Sequence, residues 1–110
     1  MIDFRIPPET AAIVEGLLGF IDGTVRPLEE EHRELLEDDH AYYGPDGRLT
    51  PPVLDLMRQV RMASARAGYY TLFLPEDLGG RGQGPLTLFL AWEALYHHVG
   101  ARRPLSYQTL

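Results

Sequence analysis

Apolar residues recur at three- and four-residue spacing in four stretches of the chain, the period of a helix buried on one side. The first stretch is Ala11, Ile13, Val14, Leu17, Leu18, Ile21 and Val25. It follows an extended lead-in, residues 1–8, that ends at Pro7-Pro8, and Glu9 and Thr10 suit its opening turn. Gly16, Gly19 and Gly23 interrupt it. Each weakens a helix by about 1 kcal/mol against Ala, so packing has to hold it, with the glycines letting a neighbouring helix come close. Pro27 kinks or restarts the helix. The second stretch, Leu28 to about Tyr42, is strongly acidic through Glu29, Glu30, Glu31, Glu34, Glu37, Asp38 and Asp39. Leu28, His32, Leu35 and Leu36 alone give it an inward face, which predicts a narrow amphipathic helix with a broad solvated side. Gly44-Pro45-Asp46-Gly47 then reads as a turn.

The third stretch opens with Thr50 as N-cap and Pro51-Pro52 in the first turn. Val53, Leu56, Met57, Val60, Ala63 and Ala67 form its buried stripe, Arg58, Arg61 and Arg66 lie off it, and Gly68 stops it. Tyr69-Tyr70-Thr71-Leu72-Phe73-Leu74 is aromatic and apolar and is expected to be extended before Pro75. Leu74 to Pro85 holds four Gly and two Pro, which predicts a chain reversal at one defined place. The fourth stretch runs from Pro85 to Val99, with Leu88, Phe89, Trp92, Leu95, Tyr96 and Val99 expected inward, and Gly100-Ala101-Arg102-Arg103-Pro104 breaks it. The pattern predicts an all-α fold: a single helical domain over 1–110, an orthogonal or up–down bundle of four main helices with a Gly-rich connecting loop.

Composition narrows the function classes. The 110 residues are 45% hydrophobic and 24% charged, with a net charge of −6, and all ten basic residues are Arg. An acidic chain is a poor match for nucleic acid or for an anionic membrane surface, both of which call for a basic face. With no Cys there is no disulfide, thiolate metal site or cysteine nucleophile. The N-terminus lacks the basic-then-apolar layout of a signal peptide, and no apolar run approaches the roughly 18 residues of a membrane helix. The expectation is a cytoplasmic protein with no membrane span.

Several residue groups resemble chemical sites, and spacing argues against each. Glu29-x-x-His32 and Glu37-x-x-His40 have the form of a di-iron motif. Both copies fall on one helix eight residues apart, about 12 Å along the axis, whereas paired metals stand about 3.5–4 Å apart. A solvated face is the better reading, and no metal is expected. His97-His98 point about 100° apart on a helix and do not share an ion. Gly79-Gly80-Arg81-Gly82-Gln83-Gly84 precedes a helix, as phosphate loops do, yet Pro85-Leu86 follows where a P-loop has Lys-Ser/Thr. It is therefore read as structural. Ser64 and Ser106 have no His or acid at a spacing that suggests a triad. Glu93, in the last helix, is expected to pair with Arg58, Arg61 or Arg66.

Four landmarks, in order, resemble the N-terminal helical domain of acyl-CoA dehydrogenases. Phe20-x4-Val25-x-Pro27 is similar to the Phe-x4-Ile-x-Pro that ends that family's first helix. Pro52 to Gly68 is similar to its Pro-(apolar helix)-Leu-Gly segment, with Ala67-Gly68 in the last two places. Pro75-Glu76-Asp77-Leu78-Gly79-Gly80-Arg81-Gly82 resembles its Pro-Glu-x-x-Gly-Gly-x-Gly loop, which assigns Pro75, Gly79, Gly80 and Gly82 to a structural loop. Trp92-Glu93-Ala94-Leu95 resembles its Glu-Glu-Leu, Ala94 standing where the second Glu is usual.

The resemblance implies a parent flavoenzyme that removes two hydrogens across the α,β bond of an acyl-CoA thioester. In such enzymes a carboxylate base takes the α-proton and FAD takes the β-hydride. The base and nearly all flavin contacts belong to a middle β-domain and a C-terminal helical bundle, which this chain does not match. No residue here takes a catalytic or cofactor-binding role, and the chain alone is expected neither to bind FAD nor to be active. Its partners would be those missing domains and, in the parent, acyl-CoA, with a homo-oligomer expected. The family's first domain lines part of the acyl pocket beyond the Glu-Glu-Leu helix, which here nominates Leu105, Gln108 and Leu110. Faces meant for missing domains should be apolar and exposed, as Phe89, Leu90, Trp92 and Tyr96 around the last helix suggest, so the isolated chain should self-associate. The alternative is a free-standing helical interaction or dimerisation module.

Overall fold

The computed structural model describes residues 5–100 and 103–110; Met1 to Phe4 of the lead-in and Ala101-Arg102 of the expected break lie outside the described residues. The fold is all-α, with no β-strand among the described residues beyond an isolated bridge between Tyr43 and Leu49. Its elements in order are α1 (Pro8–Phe20), a π-helical segment (Ile21–Val25), α2 (Arg26–Glu31), α3 (Arg33–Glu37), α4 (Asp39–Tyr42), α5 (Pro51–Ala67) and α6 (Pro85–Val99). Short 3-10 turns at Glu76–Leu78 and Ser106–Gln108 flank α6.

Pro27 acts on the residues before it. Its ring crowds the carbonyl four residues back and it offers no N–H. The helix widens just upstream, so that the Arg26 N–H donates to Ile21 O, five residues away. Ile21 and Val25, which bracket the wide turn, are both fully buried, and the chain resumes as α2 without leaving the core.

The acidic helix expected over Leu28–Tyr42 is instead three short pieces. His32 leaves helical geometry at φ −107°, ψ 24°, and Asp38 is extended at φ −93°, ψ 109°. Crowded like charges weaken this stretch. Asp38 also caps better than it propagates: its carboxylate accepts from the His40 N–H at 3.0 Å and starts α4.

Packing makes two cores that meet at Phe20. In the first, Val53, Leu56, Met57 and Val60 of α5 close on Val25 and Leu105, with Leu28, Leu35 and Leu36 laid over them. In the second, Leu17 and Ile21 meet Ala91, Leu95 and Val99. Helices α1 and α6 run side by side and parallel: near their starts the Thr10 and Thr87 hydroxyls hydrogen-bond at 3.1 Å, and near their ends Asp22 meets His98.

That close parallel contact corrects two expectations. The buried face of α6 is Thr87, Ala91, Leu95 and Val99, whereas Phe89 and Tyr96, expected inward, are 63% and 58% exposed. Near the helix starts the contact is made by small side chains, Thr10 on Thr87 at 3.1 Å, and further along Leu95 and Val99 fill it against Leu17 and Ile21. At Gly16 the close neighbour is not a helix but the Tyr69 hydroxyl, and nothing approaches Gly19 or Gly23.

A third correction concerns Tyr69 to Leu74, which is not extended. It folds in turns, with Leu72 N–H donating to Tyr69 O and Leu74 N–H to Thr71 O, each at 3.2 Å. Leu72 alone of the six is fully buried. With no neighbouring strand, the backbone satisfies its own polar groups locally.

Candidate functional site

Leu74 to Pro85 forms a closed reversal. The carbonyl of Pro75 accepts from the amides of both Leu78 (3.0 Å) and Gly80 (3.1 Å). Beyond Gly79, in the left-handed region at φ 85°, the chain returns across the segment it came from. Arg81 N–H donates to Thr71 O (3.3 Å), Gly82 N–H to Leu74 O (2.9 Å) and Gln83 N–H to Leu72 O (3.0 Å). Gln83 then ties the loop to α1, its Nε2 donating to Glu9 at 3.3 Å. Pro75, Gly79, Gly80 and Gly82 therefore sit together in one turn that delivers α6 at a fixed place.

The same bonds decide what the loop can hold. A phosphate-binding nest needs free amide donors converging on an anion. Here the amides of Gly80, Arg81, Gly82 and Gln83 are all spent on carbonyls, and Pro85 has none to give. Gly80 to Gln83 therefore present no free backbone donors to an anion.

A second polar assembly fixes residues 103–110 across α2 and α5. Glu29, only 7% exposed, receives three donors on one oxygen: Arg103 Nε at 3.2 Å, Arg103 Nη2 at 3.0 Å and Ser106 Oγ at 2.7 Å. Arg61 donates to the Gln108 side-chain oxygen at 2.8 Å, the Ser64 hydroxyl donates to Thr109 O, and the Tyr107 hydroxyl donates to Gly100 O. Burial pushes the Tyr107 phenol above its ordinary pKa, with Tyr96 adding to the shift. It remains a neutral donor at physiological pH.

The three nominated pocket residues all lie on this strap, in different surroundings. Leu105 is wholly buried in the first core. Gln108 is half-buried and engaged with Arg61. Leu110 is half-buried against the second core.

Pattern reading missed Glu29 altogether, because it assigned the acidic run to solvent. A signal was there: Leu17, Ile21, Val25 and Glu29 fall at four-residue intervals, so the carboxylate continues the buried line of the helix. Ser64, weighed in the sequence only as a nucleophile, is fully buried one turn beyond Val60.

The remaining candidates do not converge. Glu29 faces Arg103 and Ser106, His32 lies beside Glu31 at 4.0 Å, and the helix breaks at His32, the end of the first Glu-x-x-His copy, and at Asp38, inside the second. Among the described residues no group of three or more His, Asp or Glu is placed to hold a metal ion, and no helix is long and apolar enough to cross a membrane. Glu93, expected to pair with an Arg of α5, is exposed beside α1, while Arg61 goes to Gln108. His97 and His98 part company, His97 beside α1 and His98 Nε2 on Asp22 Oδ1 at 2.8 Å.

The Asp22–His98 contact makes a checkable pH effect. The hydrogen bond from His98 holds the Asp22 carboxyl below its ordinary pKa, with Arg26 at 3.5 Å helping. A carboxylate with a depressed folded pKa contributes stability above its unfolded pKa, about 3.9, and that contribution disappears as pH falls through the folded value. Both side chains are partly solvated, so the effect is at most about 1 kcal/mol. Urea unfolding from pH 7 down to pH 3 should lose stability below about pH 4 more steeply in the native chain than in Asp22→Asn. Parallel profiles would show that the contact contributes nothing.

No family model, curated protein or solved structure matches this chain.

Proposed function

We propose that this chain is the N-terminal helical domain of an acyl-CoA dehydrogenase-like flavoenzyme, a brace for a flavin and acyl pocket built mostly by other domains. The observation that carries the reading is the ordered set of landmarks and where they fall: Pro27 behind the π-helical segment, Gly68 closing α5, Pro75 to Gly82 in the closed reversal, and Trp92-Glu93-Ala94-Leu95 on α6.

Exposed surface supports it. The accessible area is 7399 Å², against roughly 6,100 Å² for a closed monomer of this mass. The radius of gyration is 15.7 Å, against about 13 Å for a compact chain of this length. Phe89, Tyr96, Leu74 and Leu78 are all exposed. Trp92 stacks on Tyr96 with ring centroids 5.6 Å apart, and Tyr96 meets Tyr107 at 5.1 Å. This aromatic face of α6 is the surface on which the flavin-bearing domains would sit. With the amides of Gly80 to Gln83 spent on the chain's own carbonyls, the contribution read for this domain is to position and cover.

The test is a titration with FAD and then an acyl-CoA. The 110-residue chain alone should neither retain the flavin nor show bleaching. Joined to the middle and C-terminal domains read from its own gene, it should do both. Bleaching by the chain alone, or a gene with no such domains, overturns the proposal and favours the second reading, a helical interaction module. One observation favours that reading specifically, the open apolar groove between α1 and α6.

A further inference from the structure

We propose that the groove between α1 and α6 receives the outer face of α5 from a second copy of this chain. The inference does not rest on the flavoenzyme reading, since it uses the groove-lining residues Leu90, Glu93 and Ala94 of α6 and not Phe89, Trp92 or Tyr96. The groove, about 440 Å³, is floored by half-buried Val14, Leu18, Leu90 and Ala94, and Glu15 and Glu93 line it as well. These two carboxylates are exposed and have no hydrogen bond or ion pair among the described residues. Because α1 and α6 run parallel and Thr10 pairs with Thr87, Glu15 and Glu93 come to nearly the same level, one on each rim.

The outer face of α5 is the complement. Leu54 and Met62 are exposed, 47% and 45%, and stand eight residues apart on one side of the helix. That is about 12 Å along the axis, close to the length of the groove from Ala11 to Leu18. Arg58 lies midway between them, exposed and without an ion pair among the described residues. Seating Leu54 and Met62 on the apolar floor puts Arg58 between Glu15 and Glu93, where one guanidinium can meet two carboxylates. Arg66, also exposed, extends the basic side of this face, while its one acid, Asp55, is engaged by Gln59 at 2.8 Å. Groove and helix are different patches of one chain, so the contact is heterologous and does not stop at two copies unless the rotation closes.

Sedimentation velocity of the purified chain over a concentration series, with circular dichroism to confirm helix content, tests the contact. The native chain should associate reversibly beyond a dimer, and more weakly at high salt. Arg58→Glu should weaken association by roughly tenfold or more, as losing a close interfacial charge pair does. Glu15→Arg with Glu93→Arg should do the same, and mixing those two variants should restore association, because each keeps the native patch the other has lost and their altered patches carry opposite charges. Three outcomes overturn the proposal: a monomer at every concentration, association indifferent to Arg58→Glu, or association abolished by Phe89→Ser but not by Arg58→Glu. None of them bears on the FAD titration, so the two proposals fail separately.

Discussion

Replacing Glu29 by Ala should lower the unfolding free energy by about 3 kcal/mol, the lower end of what losing one partner of a buried ion pair costs. The carboxylate is almost completely buried and takes all three donors on one oxygen. Removing it takes the acceptor from the Arg103 guanidinium and leaves the fully buried Ser106 hydroxyl without its partner. Arg103 remains 24% exposed, so it recovers part of its hydration, which is why the lower end applies. The strap also loses its link to α2, and the Arg61–Gln108, Ser64–Thr109 and Tyr107–Gly100 hydrogen bonds and the burial of Leu105 are left to hold it. Glu30→Ala, one residue away on an exposed position, should stay within about 0.5 kcal/mol of the native chain. Glu29→Leu combined with Arg103→Met removes both charges and should recover much of the loss. Urea unfolding of the four proteins measures all of this. A loss below about 1 kcal/mol for Glu29→Ala, in the range of surface pairs, would mean that the strap is not fixed by this carboxylate.

The same residue shows where the sequence was legible and where it was not. Helix α5 could be read from its pattern because Val53, Leu56, Met57 and Val60 fall on one side, bounded by Pro51-Pro52 and Gly68, even though Leu54 and Met62 lie on the outer face among the charges. Helix α6 could be located but not oriented. Leu86, Leu88, Phe89, Leu90 and Trp92 surround it with apolar groups, so periodicity does not single out a face. The choice was made by the packing of α1, which buries Thr87, Ala91, Leu95 and Val99. Glu29 was hidden by its neighbours, since composition treats the acidic run as one solvated surface while the four-residue line from Leu17 runs through it. The helix breaks at His32 and Asp38 reflect competition between weak propagation and local capping, which no stripe of apolar residues records. The loop was legible as a reversal but not as a closed one, because which amides are spent depends on carbonyls supplied by Thr71, Leu72 and Leu74.

That closure makes the other large effect predictable. Gly80→Ala should destabilise the chain by about 2–3 kcal/mol, the upper part of the range for forcing a methyl into a filled space. A Cβ at this position runs into the backbone carbonyl oxygen of Leu74 and its Cβ. Backbone is what cannot yield here: the Leu74 carbonyl accepts from Gly82 at 2.9 Å, and the Leu74 amide donates to Thr71 at 3.2 Å. Moving it breaks the return strand of the reversal and shifts the start of α6, whose Thr87 is bonded to α1. Gly19→Ala supplies the opposite sign in the same fold. Gly19 is helical and exposed, and an added Cβ meets nothing, so the methyl lowers unfolded-chain entropy and should stabilise by up to about 1 kcal/mol. Thermal and urea unfolding should therefore rank Gly19→Ala above the native chain and the native chain above Gly80→Ala. Amide exchange at Gly82 and Gln83 should quicken in the Gly80 variant alone. A neutral Gly80→Ala with those amides still protected would mean that the turn yields without opening. The reversal would then not be what fixes where α6 begins.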